Sequence, residues 1–407
     1  MSSQKVSFTG ANGIALAARL DLPLGAPRAY AIFAHCFTCS KDTKAAMYVS
    51  AALAEQGIAV LRFDFTGLGG SGGDFANTNF SSNIADLIAA ADHVRSTYGP
   101  PEILIGHSLG GAAVLAAAPK ISDVRAVATI NAPFDPSHVL HMMAAARPEI
   151  ESAGEAEVIL AGRPFRIRKQ FVEDIQGQRL SDGLAAMRKA LLVMHAPLDS
   201  TVSIDNASHI FLAAKHPKSF VALDGADHLL TRKEDAQYAG SVLAAWAARY
   251  IANPLSAYDK ETLSAAAGEV TVASAGIGKF AQLIAAGRHR LRADEPAAVG
   301  GDDTGPAPYD LLLAALGACT SMTLTMYAAR KQWPLGRVSV KLRHNKVYAD
   351  DCAECENTKT KLDRIEREIT LEGELDAAQR ERLLEIADKC PVHNTLEAGA
   401  EIVTRLA

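Results

Sequence analysis

The chain lacks the marks of a nucleic-acid or membrane partner. Its 407 residues carry 41 Lys and Arg against 46 Asp and Glu, a formal net charge of −5. With no basic excess to meet phosphates, neither nucleic acid nor an anionic lipid surface is an expected partner. The basic stretch Arg337–Arg343 alternates with apolar residues and reads as the wet face of a strand. The opening MSSQKVSFTG lacks the charged-then-apolar order of a secretion signal, so a cytoplasmic location is expected. Cysteine is scarce: Cys36, Cys39, Cys319, Cys352, Cys355 and Cys390. In a large chain without that signal, these read as free, redox-active or metal-binding thiols rather than a disulfide framework. No internal repeat is visible. One apolar run, Leu311–Ala329, approaches bilayer length, but its Ser/Thr hydroxyls, Gly317 and Cys319 favour a fully buried helix of a soluble domain, with no membrane partner.

What is present is material for burial: 49% of the residues are hydrophobic, and the length exceeds one ordinary core, so two domains are expected. The first 250 residues alternate short β-rich runs with helical patterns. Val6–Thr9 and Ile14–Leu20 read as an antiparallel pair. Strands at Tyr30–Ala34, Ala59–Asp64, Ile103–Ile105, Ala126–Ile130, Leu191–Met194 and Phe220–Leu223 are interleaved with helices at Lys44–Gln56, Asn83–Thr97 and from Leu109. That alternation predicts a mostly parallel sheet with helices on both faces. Residues 131–190 form a short cap-like insertion, too short for a lid, which predicts an open site. Gln237–Ile251 reads as a closing helix, and Asn253-Pro254 ends it. The domains are therefore expected at 1–253 and 265–407, with 254–264 as linker. The second domain has an α+β rhythm: strands near 270–274, 282–284 and 288–293, the apolar helix, strands at 338–342 and 365–372, and an amphipathic helix from Asp376 to Lys389.

The strand Ile103–Ile105 runs into Gly106-His-Ser-Leu-Gly110 and then a helix. A serine at such a sharp turn is lifted clear of the sheet, and the helix that begins there aims N–H groups at developing negative charge. Its hydroxyl needs a base, and the base needs an orienting carboxylate. Asp199 follows the strand Leu191–Met194 and His228 the strand Phe220–Leu223, on loops at the same sheet edge as Ser108, in the order acid then base. Asp224 and Asp227 lie too close in sequence to His228 to serve it easily. His35, His107 and His195 are rival bases that chain order disfavours. The amides of Phe37 and Leu109 are the candidate oxyanion donors. Cys36-x-x-Cys39 beside them reads either as two buried thiols or as a redox dithiol.

GHSLGG, the Asp199 and His228 loops, and Phe63-Asp-Phe-Thr-Gly-Leu-Gly69 make residues 1 to about 250 resemble the α/β-hydrolase family. The resemblance implies that fold and a Ser108–His228–Asp199 triad acting on a small-molecule ester or thioester. That family usually has His-Gly before the oxyanion residue, where this chain has His35-Cys36. Further on, Ala293-Asp-Glu-Pro296, Gly305-Pro-Ala-Pro308 leading into LLLAALGACTSMTL, and Lys389-Cys-Pro-Val-His393 look like the OsmC family of osmotically inducible and organic-hydroperoxide-resistance proteins.

This second resemblance implies a homodimer. It makes Cys319 a peroxide-attacking thiol and Cys390 its resolving partner, regenerated by an external dithiol. Where efficient hydroperoxidases of that family carry a glutamate, this chain has Tyr309, with Asp310 next. Arg288, Arg290 and Arg292 are the candidate arginines. Cys352-x-x-Cys355 is a further dithiol-like pair. The fused arrangement resembles bifunctional hydrolase/OsmC chains. The leading expectation is a serine hydrolase with a C-terminal thiol redox and dimerisation domain, needing no cofactor or metal. The alternatives are hydroperoxide reduction as the main activity, or an OsmC-like domain that only dimerises.

Overall fold

In the computed structural model the chain divides into two compact units, Met1–Thr262 and Leu263–Ala407. The structure describes residues 2–23, 27–160, 162–251, 263–275, 279–348 and 361–406. Most of the expected linker, and the Cys352/Cys355 pair, lie outside the described residues.

The first unit is built as follows. β1 (Ser2–Thr9), β2 (Ala15–Leu22) and β3 (Ala29–Ala34) precede α1 (Lys44–Glu55), β4 (Ile58–Phe63), α2 (Phe80–Thr97), β5 (Pro101–His107) and α3 (Leu109–Ala117). After β6 (Ala126–Ile130) comes the insertion: a 3-10 segment (Pro136–Ala146), α4 (Arg147–Ala153), β7 (Glu155–Leu160), β8 (Arg163–Arg168), α5 (Lys169–Gln176) and α6 (Leu180–Ala186). β9 (Ala190–His195), α7 (Asp205–Ala213), β10 (Lys218–Ala222) and α8 (Lys233–Ala247) complete it.

Eight strands pair in the order β1-β2-β4-β3-β5-β6-β9-β10. The β1-β2 and β2-β4 pairs are antiparallel and the rest are parallel. Every residue of β4, β5, β6 and β9 is buried, as strands covered on both faces require. Alternate side chains feed two cores. Ile32, Leu61 and Leu104 pack with α2, α3 and the insertion, while Ala31, Phe33 and Ile103 pack with α1 and α8. α2 starts at Phe80, three residues before the expected Asn83, with Asn79 as its cap. Its side chain accepts from the Ser82 N–H while the Ser82 hydroxyl answers the Asn79 N–H.

The second unit has a three-stranded antiparallel sheet of β11 (Val270–Ser274), β12 (Gln282–Ala286) and β13 (His289–Ala293). α9 (Pro308–Lys331) follows, then the hairpin of β14 (Leu335–Tyr348) and β15 (Lys361–Gly373), α10 (Ala377–Ala387) and α11 (Pro391–Ala398). α9 is long and apolar enough, by length and composition, to cross a bilayer. The expectation that it is fully buried is corrected. Leu316, Thr320, Leu324 and Ala328, one residue per turn, face the unit's core, while Met322 and Met326 are 63% and 66% exposed. One hairpin and two short helices cover a stripe of a helix, not its circumference.

Candidate active site

Ser108 stands where β5 ends and α3 begins, with φ 55° and ψ −126°. A non-glycine residue with positive φ is uncommon, and here it turns the hydroxyl out of the sheet. The turn closes only because its neighbours lack side chains. A Cβ on Gly106 would lie 2.3 Å from the Gly110 carbonyl oxygen, and one on Gly110 would lie 2.4 Å from the carbonyl oxygens of Ala34 and His35. α3 thereby presses its first turn against the end of β3, where the Phe37 loop begins.

The three side chains expected to work together do meet. His228 Nε2 lies 3.0 Å from Ser108 Oγ, and His228 Nδ1 lies 2.6 Å from Asp199 Oδ2. The second oxygen of Asp199 accepts from the N–H groups of Thr201 (2.8 Å) and Val202 (2.9 Å). Burial alone would raise the Asp199 pKa. The bonds from His228, Val202 and Thr201 outweigh it and hold the carboxyl below the usual carboxylate range.

The rival residues have other tasks. Asp224 is exposed, and Asp227 turns to the N–H and hydroxyl of Thr231. His35 donates from Nδ1 to the Cys36 carbonyl and accepts the Phe65 N–H at Nε2, fastening the Phe37 loop to the end of β4. His195 donates to the Val202 carbonyl at 2.8 Å. His107 donates from Nε2 to the carbonyl of His228 at 2.7 Å, and its buried Nδ1 has no hydrogen-bond partner. Burial and the nearby His228 push the His107 pKa down to about 4.

Asn131 has no place in the sequence reading. It follows β6 with φ 49°, a conformation asparagine tolerates better than most residues. Its Oδ1 accepts the Ala196 N–H at 2.8 Å, and its Nδ2 donates to the carbonyls of His228 (2.9 Å) and Asp227 (3.3 Å). One carboxamide thus ties the loop that carries Asp199 to the loop that carries His228. The available signal was its position, an asparagine ending a strand at the edge where ligands bind.

Phe37 and Leu109 line one pocket with Cys36, Thr38, Phe75 and Gly110. The Leu109 N–H belongs to the first turn of α3, where no carbonyl one turn back can accept it. Cys36 and Cys39 are joined by a disulfide. The expectation of an open site is corrected, because the insertion walls one side. Arg163 donates to the Thr38 carbonyl. The Phe171 ring lies 5.5 Å from that of Phe37, and Phe165 lies 5.0 Å from Phe75. Short as the insertion is, it buries Phe171 against Phe37 and sets the half-buried Phe165 against Phe75, which itself packs on Phe37.

In the second unit Cys319 is half-buried, Cys390 is fully buried, and both are free. Cys390 caps α11 rather than ending the helix before it, with Pro391 at the first position of the new helix. Its sulfur accepts the His393 N–H at 3.4 Å and lies 3.6 Å from the Thr320 hydroxyl. The arginine beside this cluster is Arg367, on β15, which donates to Thr320 Oγ1 at 3.0 Å and to Asp388 at 2.5 Å. Arg288 and Arg290 lie near and on β13 with no bond to the cluster among the described contacts, and Arg292 likewise. Tyr309 stacks on His344 with ring centres 4.2 Å apart. Among the described residues no cluster suits a metal ion.

Residues 31–251 match the alpha/beta hydrolase family. The chain belongs to that family. Residues 300–405 match OsmC-like proteins, so an OsmC-like region follows the hydrolase. Among solved structures, the esterase domain of a Rhodothermus marinus protein is 51% identical, with a TM-score of 0.51 over 61% of this chain and 99% of that one. Est1E from Butyrivibrio proteoclasticus, solved with ferulic acid bound, is 24% identical over 59% of this chain and 98% of that one, TM-score 0.50. A putative hydrolase from Agrobacterium vitis S4 is 20% identical over 60% and 98%, TM-score 0.51. The last two share the fold. No curated protein matches the chain.

Proposed function

We propose that the first unit of this alpha/beta hydrolase is a serine acyl hydrolase that cleaves small-molecule esters or thioesters. The observation that carries the reading is the unbroken chain from Ser108 Oγ through His228 to Asp199, at 3.0 and 2.6 Å. His228 takes the Ser108 proton as Oγ attacks the acyl carbon. The Phe37 and Leu109 amides receive the oxyanion, and protonated His228 gives its proton to the leaving group. Water, activated by the same imidazole, then clears the acyl-enzyme. Asp199, held ionised by its hydrogen bonds, keeps His228 in the tautomer whose Nε2 faces the serine. The 51% identity to an esterase domain supports an ester as the scissile group. Turnover of p-nitrophenyl and thioester substrates of graded chain length, with Ser108→Ala beside wild type, tests this. Hydrolysis should vanish in the variant, and its survival would refute the assignment.

The second unit is assigned thiol chemistry and dimerisation. Cys390 stands at the start of α11, where its sulfur accepts the His393 N–H and lies 3.6 Å from the Thr320 hydroxyl. Cys319 attacks a hydroperoxide, releasing the alcohol and becoming a sulfenic acid. Cys390 then condenses with it, releasing water, and an external dithiol reduces the resulting disulfide. The exposed Met322 and Met326 face of α9 supports self-association of the full chain as a dimer. Mass spectrometry after a hydroperoxide pulse should find a Cys319–Cys390 bond. An unmodified Cys319, with a dimeric mass by light scattering, leaves dimerisation alone as this unit's role.

A further inference from the structure

We propose that the Cys36–Cys39 disulfide is a thiol-exchange site that governs the hydrolase, opened by a dithiol and closed again by a disulfide oxidant. The inference rests on the oxyanion role given to Phe37 above. The bond closes a four-residue turn, Cys36-Phe37-Thr38-Cys39, with Cα atoms 5.3 Å apart at its ends. Within it the Cys39 N–H donates to the Cys36 carbonyl at 3.1 Å, and Thr38 holds φ 59°. Positive φ is a poor conformation for a β-branched residue, and the covalent ring limits the turn's escape from it. The residue enclosed next to Thr38 is Phe37, whose amide is to face the oxyanion. Of the other anchors, the Phe75 and Phe171 rings grip the Phe37 side chain, Arg163 grips the Thr38 carbonyl, and His35 Nδ1, at 2.8 Å, holds the Cys36 carbonyl of the peptide unit that carries the Phe37 N–H, leaving the Thr38 side of that residue to the disulfide.

The two sulfurs are not equally reachable. Cys36 is 4% exposed, whereas Cys39 is half-buried at the mouth of the loop. An incoming thiolate therefore attacks Cys39 Sγ, forms a mixed disulfide and expels Cys36 as a thiolate, which takes up a proton. The second thiol of the reductant attacks its own sulfur in the mixed bond and expels Cys39, which is protonated in turn. The reductant leaves as a disulfide, two electrons having passed to the pair. With the ring open, Thr38 relaxes toward negative φ and the Phe37 N–H turns away from Ser108, which lowers kcat with little change in KM.

The test is p-nitrophenyl acetate hydrolysis by the full chain across dithiothreitol buffers of graded redox ratio, with the Cys36–Cys39 bond followed by peptide mapping. Oxidised enzyme should turn over at least tenfold faster than reduced enzyme, with KM within twofold, reversibly, and in step with the mapped bond. Cys39→Ser should stay at the reduced rate in every buffer. A bond that opens without changing kcat overturns the proposal, as does a bond that resists excess dithiothreitol, or a Cys39→Ser variant that responds as wild type does. If Cys39→Ser fails to fold, the wild-type titration decides alone. Hydrolysis that survives Ser108→Ala instead refutes the hydrolase reading, and this inference with it.

Discussion

Asn131 donates from Nδ2 to the carbonyl oxygen of His228 at 2.9 Å, and through its Oδ1 it holds the Ala196 N–H at 2.8 Å. His107 grips the same His228 carbonyl from β5. His228 is therefore held through its backbone as well as by Asp199 at its ring. Asn131→Ala frees both loops. We expect kcat to fall on the order of tenfold, since misplacement by a fraction of an ångström is costly in a proton relay, while KM stays near wild type. A merely structural role would lower Tm and leave kcat of the folded enzyme near wild type.

Asp199→Asn keeps the shape of the site but presents an N–H to His228 and selects the wrong tautomer. A loss on the order of 10⁴ in kcat is expected for such an exchange. Steady-state ester hydrolysis reads it, and a loss below tenfold would mean that another carboxylate orients the base.

His107 makes a prediction about acid stability. Its pKa in the fold is about 4, against an ordinary 6.5, and its only free ring nitrogen faces no acceptor. Between those values the unfolded chain binds a proton that the folded chain refuses. Stability therefore falls as pH drops from 6.5 toward 4, by on the order of 3 kcal/mol from this residue. In His107→Gln the decline of Tm over that window should be shallower. An unchanged decline would place the acid sensitivity elsewhere.

Gly106→Ala puts a Cβ 2.3 Å from the Gly110 carbonyl oxygen. Backbone must move to admit it, so a loss of about 3 kcal/mol in unfolding free energy is expected. Ser108 should also react more slowly with a fluorophosphonate, because the turn that exposes it is distorted. Chemical denaturation and labelling rates together check this, and a variant that matches wild type in both would show that the turn has slack.

Much of this was legible in the chain. Strand-helix alternation gave the parallel sheet because buried central strands are apolar throughout, as in β4 and β5. Loops directly after strands were enough to choose Asp199 and His228, since a parallel sheet gathers those loops at one edge. The insertion was harder. α5 buries Phe171, Val172 and Ile175 but spans only eight residues, and α6 contains Gly183, so neither offers a long periodic signal. Asn131 and Arg367 act through backbone carbonyls and a hydroxyl that reach them only by tertiary folding. α9 misled for a related reason: an apolar composition does not say how many of its faces its own unit will cover.

The most direct measurement is the site of covalent capture by a fluorophosphonate, mapped by peptide mass spectrometry in wild type, His228→Ala and Ser108→Ala. One adduct on Ser108 is expected, formed far more slowly without His228 and absent without the hydroxyl. An adduct on another residue, or a wild-type rate in His228→Ala, would contradict a serine activated by that imidazole.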